Sequence, residues 1–440
     1  MEKLIHIDLV PNFEDDDYQI IKNILKEKYK KEDLLKSEEE ILEIFKNYFP
    51  QGEVFFFNSA RGALNFLLQV LKDLETVNTS KIYQDESDLD ACKSLNEVIT
   101  QAFSCLVVPN AIKFANYRPI YIDIDKSYNL NTEDLKDKIT KRTKAIIIQN
   151  TFGIPAKIEN ILNIAKENKI LIIENLTHSL GASYKNNYLG NFGEIALLSF
   201  NRNKVISSIT GGALVVNNKE LAEEIKSHYN KVQDVSEKEI RKILITGKIL
   251  YEAKNKYNIL TKIYLRILRK IGITTEMVSQ KEKLADPSSN CVYKMPKNLY
   301  PLLLNQVKKL QYFNQKRRKI ANIYSNFFKD FKKQIIYQDF YINQESEPIF
   351  LRYPVLSENK NKIFSLFKNK NIYLGDWYNC VLAPCPSFLN KIELINFLKK
   401  FEYNLGDCYF AEKISKNILN LPTLIEEKDA FKIIEVLSKI

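Results

Sequence analysis

The chain has 440 residues and only 12 glycines, about 3% against roughly 7% in average usage. None of them builds G-x-G-x-x-G or G-x-x-x-x-G-K-[ST], so a dinucleotide fingerprint and a P-loop are both excluded as motifs. The net charge of +11 comes from 65 basic and 54 acidic residues spread along a Lys-, Asn- and Ile-rich chain. With no basic-aromatic module in it, no nucleic-acid partner is expected.

The length predicts two or three domains, and 45% apolar residues suffice for ordinary cores. Six cysteines without a C-x-x-C pair and three histidines, His6, His178 and His228, lack zinc-ligand spacing, so no metal site is expected. The N-terminal MEKLIHIDLV mixes charges where a secretory signal needs an apolar run, and no 18-residue uncharged stretch exists. A reducing, cytoplasmic setting with free thiols is the expectation.

In chain order, helical spacing over 18–48 (Ile20, Ile21, Ile24, Leu25, then Ile41, Ile44, Phe45) predicts peripheral N-terminal helices. VFFFN (54–58) reads as a strand, and Ser59-Ala60-Arg61-Gly62 turns into an apolar-periodic helix from Ala63. A strand that enters a helix through a small polar residue presents N–H groups and the positive end of the helix dipole, which suits a phosphate. The acidic, polar stretch TVNTSKIYQDESDLDACKS reads as a surface insertion, bounded at 77–97.

A regular series follows. VITQAF precedes a helix-like SCLVVPNAIKFA, then come strand 119–125, helix 132–139, strand 145–150, helix 157–167, and strands 170–175, 195–200 and 212–216. Short β-branched runs between helices predict an α/β fold with a mostly parallel sheet buried on both faces. Sites on such sheets lie at the strands' carboxyl ends. That places the candidates at 59–62, 150–153, 175–178 and 199–204.

Residues 242–273 form a long basic amphipathic stretch, read as a helix packed on its own protein, with a membrane-surface helix as the alternative. A further long helix is expected over 298–329, then strand-like 349–356, helix 360–369, strand NIYLG and helix 427–438. The expected division is an N-terminal helical extension (1–50), a large α/β domain (51–290) and a small C-terminal α+β domain (291–440).

With these residues in hand, the chain resembles the DegT/DnrJ/StrS family of pyridoxal-phosphate (PLP)-dependent sugar aminotransferases, of fold type I, over most of 54–440. The helix-entry motif S-G-[RT]-[ST]-A-L is matched by Ser59-Ala60-Arg61-Gly62-Ala63-Leu64. PIYIDID, RTKAII and Asn150-Thr151-Phe152-Gly153-Ile154-Pro155-Ala156 match further family segments, as do RYPVL, GDWY, GDCYFAE and ILNLPT. The strongest match is S-F-x-x-x-K followed by a glycine pair, Ser199 to Lys204 and then Gly211-Gly212.

The resemblance implies roles. Lys204 would bond covalently to PLP and, once displaced by the amino donor, shuttle a proton; this requires a lysine that is neutral for part of the cycle. Ser199 would hydrogen-bond the phosphate, with backbone N–H groups of Ala60 and Arg61 completing the cradle. Phe103 would stack on the pyridine ring, with a core aromatic as the plainer reading. Trp377 and Tyr378 would contact sugar or nucleotide, or pack as small-domain core. Glutamate as donor, a nucleotide-linked sugar as acceptor and a homodimer are implied in the same way.

The sequence also departs from the family. E-D-A-A-Q-[AS]-x-G appears as Glu174-Asn175-Leu176-Thr177-His178-Ser179-Leu180-Gly181, so the aspartate that pairs with the pyridinium nitrogen is Asn175 and the glutamine is His178. A neutral amide can hydrogen-bond but cannot hold the ring nitrogen protonated, so a weaker electron sink is expected. The T-G-E-G-G turn lacks its acid in Ser208-Ile209-Thr210-Gly211-Gly212. N-[YF]-R-M, which binds phosphate across a dimer interface, reads Val292-Tyr293-Lys294-Met295, leaving Lys294 to supply charge. Three readings follow: an aminotransferase; another PLP reaction such as dehydration or epimerisation, against which the retained Lys204 argues; and a catalytically impaired or non-enzymatic descendant with a binding or regulatory role.

Overall fold

Runs of β-branched and aromatic residues become the strands of one seven-stranded sheet: β1 (Glu53–Phe57), β2 (Glu97–Gln101), β3 (Arg118–Ile122), β4 (Thr143–Gln149), β5 (Leu171–Asn175), β6 (Ile195–Ser199) and β7 (Gly212–Val216). The computed structural model describes residues 5–7, 9–82, 95–255, 258–331, 336–386 and 389–439. The strand order is β1-β7-β6-β5-β4-β2-β3. β7 runs antiparallel to both β1 and β6, and the remaining pairs are parallel.

Alternation along the strands sends side chains into two cores. Ala145 and Ile147 of β4 and Ile195 and Leu197 of β6 pack with the helix Ala60–Ile82. Ile146 and Ile148 join the core beneath the helix Ile158–Asn168, while Ala196 and Leu198 join the largest core. A period of two with both faces apolar is what a covered parallel sheet requires.

The expected N-terminal helices are present as Asp15–Leu25 and Lys31–Lys46, but they are integral to the core: Ile21, Ile41 and Phe45 are fully buried in its largest cluster. Four segments differ from expectation. The helix after β1 starts at Ala60 and continues to Ile82, so the proposed insertion begins later than 77; its centre, 83–94, lies outside the described residues, and Glu97 already belongs to β2. The segment 104–115 opens with the short strand Ser104–Cys105 before the helix Val107–Phe114. The stretch 242–273 is two helices, Glu237–Asn255 and Ile259–Lys270, the second capped by Asn258 Oδ1 accepting from Thr261 N–H at 3.0 Å.

The long helix over 298–329 is likewise two, Tyr300–Lys308 and Leu310–Asp330. At the break, the Lys309 ammonium reaches the carboxylates of Glu14 (2.9 Å) and Asp17 (3.4 Å). That tertiary contact ties the N-terminal helix to the join and leaves no trace in periodicity.

The C-terminal part pairs Arg352–Leu356 antiparallel with Ile418–Pro422, covered by the helices Leu310–Asp330, Lys360–Asn369 and Glu427–Ser438. It is stitched to the large sheet through Ser104–Cys105, which pairs with Leu382–Ala383. This stitch carries the segment 377–383 to the carboxyl ends of the strands.

Candidate active site

The ladder of the sheet assembles the expected residues. Asn175 ends β5 in register with Gln149 on β4 and Leu197 on β6. Ser199 ends β6 opposite Gly212, and Ser59 bridges Gly211. Three chain turns therefore meet at the amino end of the helix Ala60–Ile82. Ser59 caps that helix, its Oγ accepting from Gly62 N–H at 3.2 Å, and the first-turn N–H groups, Ala60 and Arg61 among them, have no intrahelical partner. The approach is close: a Cβ on Gly212 would lie 2.4 Å from the Ala60 nitrogen, so only glycine fits. Gly211 beside it has φ +125°, a conformation that glycine alone adopts freely.

Lys204 follows β6 in a half-buried loop. Its Nζ stands 4.9 Å from the centre of the Trp377 ring. Burial pulls its pKa down to about 8; Cys105 opposes this weakly, while the Arg352 and Arg61 guanidiniums push the same way as burial. Desolvation disfavours the ammonium form, so a sizeable neutral fraction exists near neutral pH.

Residues far away in sequence hold this loop. Asn12 Nδ2 donates to the carbonyls of Lys204 and Val205, both at 2.9 Å. Arg317 Nη2 donates to Val205 O at 2.8 Å, and Ser207 N–H donates to Gln306 Oε1 at 3.1 Å. Gln306 in turn donates to Asn12 O at 3.2 Å. Sequence reading missed Asn12, Gln306 and Arg317; for Gln306 and Arg317 a polar residue on an otherwise apolar helix face was the only signal, and for Asn12, in a turn, there was none.

His178 is fully buried between the domains. Its Nδ1 accepts from Phe152 N–H at 3.4 Å, which leaves Nε2 to carry the proton toward Tyr378 Oη at 3.3 Å. Burial, then the Lys204 and Arg352 charges, hold its pKa well below the usual range. It is a neutral donor. The ring stacks with Trp377 (5.2 Å between centroids) and Tyr378 (5.9 Å). Trp377 also carries the Arg352 guanidinium 3.5 Å from its ring centre. Trp377 and Tyr378 thus pack against His178 of the large sheet's strand end, and Trp377 also stands over Lys204.

Phe103 is buried edge-on to Tyr378 (5.3 Å) and Phe152 (6.1 Å), within an aromatic cluster beside the site. The Arg61 side chain pairs with Glu282, which leaves the residue's N–H as the group turned toward the cradle. Lys294 lies apart from Lys204 in its own chain: its N–H bonds Gln233 O at 2.9 Å and its Nζ covers the Tyr229 ring at 5.2 Å. Glu174, next to Asn175, is a buried staple whose carboxylate accepts N–H bonds from Gly190, Phe192 and Gly193, each at 2.8 Å. Among the described residues no cluster suits a metal ion, and Cys105, Cys291, Cys380, Cys385 and Cys408 are free thiols.

A seven-stranded sheet of this order, with a lysine after β6 and a serine-capped helix amino terminus after β1, defines a fold type I PLP-dependent transferase. A profile of the DegT/DnrJ/EryC1/StrS aminotransferase family matches residues 36–438, and the chain belongs to that family. It is 26% identical over 404 residues to the uncharacterized protein MJ1066 of Methanocaldococcus jannaschii, covering 90% of this chain and 88% of that protein. It is 36% identical to the GDP-perosamine synthase of Escherichia coli O157:H7 over 127 residues, 29% of this chain and 35% of the synthase.

Among solved structures, Helicobacter pylori PseC, an aminotransferase of pseudoaminic acid biosynthesis, superposes with a TM-score of 0.67 at 19% identity, covering 100% and 99% of the two chains. The E. coli GDP-4-keto-6-deoxy-D-mannose-3-dehydratase with bound hydrated PLP gives 0.64 at 19% identity, covering 99% and 100%. At such identities these structures establish the fold. PLP is the cofactor of the family, and the residues present fit it: an amine neutral in part at Lys204, a helix amino terminus and two serines for a phosphate, and an amide at Asn175 able to bond a pyridine nitrogen.

Proposed function

We propose that the chain is a PLP-dependent aminotransferase that moves an amino group from glutamate to a keto group of a nucleotide-linked sugar. The observation that carries the reading is Lys204, which follows Ser199 by five residues at the edge of the sheet where Ser59 and Asn175 also end their strands, with burial drawing its pKa down to about 8. PLP, when bound, supplies a ring that accepts negative charge from the substrate carbon.

The chain's own groups divide the remaining work. The helix amino terminus with Ser59 and Ser199 holds a phosphate, since N–H groups and the dipole favour an anion there. Neutral Lys204 takes a proton at Nζ and gives it back, a role that needs a pKa near the working pH. Trp377, with the Arg352 guanidinium also on its ring, stands over that amine. Asn175 orients a ring nitrogen by hydrogen bonding without fixing a proton on it. His178, neutral and locked by Phe152 N–H and Tyr378, fixes the Tyr378 hydroxyl and stacks between the aromatic rings at this end of the site. In a homodimer, Lys294 would present its charge to the partner's phosphate.

Asn175 favours a second reading, a descendant that binds PLP or sugar nucleotides for regulation without turnover. The absorbance spectrum separates the two. Protein mixed with PLP should turn yellow, bleach on addition of glutamate and recover colour with a keto sugar. A protein that stays colourless, or yellow but unresponsive to every amino donor, would replace the first reading by the second.

A further inference from the structure

The helix Ile259–Lys270 differs from every other amphipathic helix described here in leaving its apolar face uncovered. Leu268 is buried, and Lys262 turns onto Tyr373, its Nζ 4.2 Å from the ring centre and 3.1 Å from Oη. On the opposite side Leu260 is 71% exposed, Ile263 48%, Tyr264 52%, Ile267 53% and Ile271 61%. At 3.6 residues per turn these five positions fall within an arc of about 100°. Arg266 and Lys270, both exposed, border that arc on one side.

The charge around the stripe is one-sided. Between Glu252 and Glu276 the sequence holds no acidic residue; Arg266, Arg269 and Lys270 are exposed on this helix, while Lys254 turns inward to the carbonyls of Val10, Pro11 and Phe13 and Lys262 onto Tyr373. A two-fold contact of this face with itself would set cations against cations with no carboxylate from the same segment to balance them. An anionic lipid surface meets both features: its headgroups neutralise the basic border and its acyl boundary receives the isoleucines, with Tyr264 at headgroup depth.

The geometry points to Ile259–Lys270 as a helix that lies in the plane of an anionic membrane, docking the protein peripherally. Among the described residues no helix is long and apolar enough to cross a membrane. The inference does not depend on the proposed transferase reaction.

The test is co-sedimentation of the full-length, PLP-loaded protein with vesicles of phosphatidylcholine alone and of phosphatidylcholine with phosphatidylglycerol. The wild type should pellet with the anionic vesicles at low salt, be released by high salt, and stay in solution with the neutral ones. The double variant Ile263→Glu/Ile267→Glu should lose vesicle binding while keeping its monodispersity. Arg266→Ala/Lys270→Ala should bind about 25-fold more weakly, roughly fivefold per charge removed. Wild type that ignores both vesicle types, or that pellets equally with both, would overturn the proposal. So would Ile263→Glu/Ile267→Glu reducing the oligomer by light scattering, which would make this face a contact between copies of the chain.

Discussion

The two ends of the candidate site have diverged differently from the family pattern. At the proposed phosphate end Ser59, Ser199 and the glycine pair are retained, with Gly62 in place of the helix-entry Ser/Thr and Val292 in place of the asparagine, and the ladder brings Ser59 to Gly211 and Ser199 to Gly212. At the ring end the carboxylate has become Asn175, the glutamine has become a buried neutral His178, and aromatic rings from both domains close around it. Holding a phosphate demands backbone geometry, which tolerates little change. Tuning a ring demands only the right proton affinity, which a single side chain can alter.

The largest expected break of that contrast is Lys204→Ala. It removes the amine that both ends serve, and should abolish the yellow absorbance and all amine transfer while the protein remains folded by circular dichroism. Gly212→Ala attacks the phosphate end alone. The added Cβ collides with the Ala60 backbone, so a loss of about 2 kcal/mol in stability by denaturant unfolding is expected, with PLP affinity falling further than stability.

Asn175→Asp sharpens the ring end. A carboxylate there holds a ring nitrogen protonated, and turnover with glutamate should rise about tenfold, equivalent to about 1.4 kcal/mol of transition-state stabilisation. A fall instead would mean that the site has been retuned around the amide, through neighbours such as His178.

The last expected effect concerns pH and falls on stability rather than turnover. Lys204 in the folded, cofactor-free protein has a pKa of about 8, below its ordinary 10.5, so folding disfavours its charged form. That penalty is complete below pH 8 and fades as pH rises from 8 to 10.5, where the unfolded chain binds more protons than the folded one. Lys204→Met should therefore be more stable than wild type by about 1–2 kcal/mol at pH 7, a figure reduced for its half-buried position. The gap should close toward pH 10.5 in unfolding measurements; a gap that stays constant with pH would show that Lys204 is not desolvated.

Much of this was legible in the chain itself. Strand runs such as AIIIQN and ILIIEN declare a sheet covered on both faces because no other arrangement buries every residue of a short β-branched run. The order of Ser59, Asn175, Ser199 and Lys204 behind successive strands places them at one edge because parallel strands share a carboxyl end. The departures, Asn175 above all, were also visible there, since charge belongs to residue identity.

Other features were decided only by the tertiary structure. The breaks at Asn258 and at Lys309 interrupt stretches whose apolar spacing reads as continuous, and Lys309 is engaged by carboxylates nearly three hundred residues away. Asn12, Gln306 and Arg317 support the lysine loop through contacts between distant segments, for which one sequence offers no spacing rule.

By itself the sequence determined which chemistry is available, a lysine, a serine at a helix entry and an amide in place of an acid, because these are properties of residues and short turns. The tertiary structure decided the lowered proton affinity of Lys204, the neutrality of His178 and the bare face of Ile259–Lys270, because desolvation and exposure depend on what the rest of the chain packs against each group.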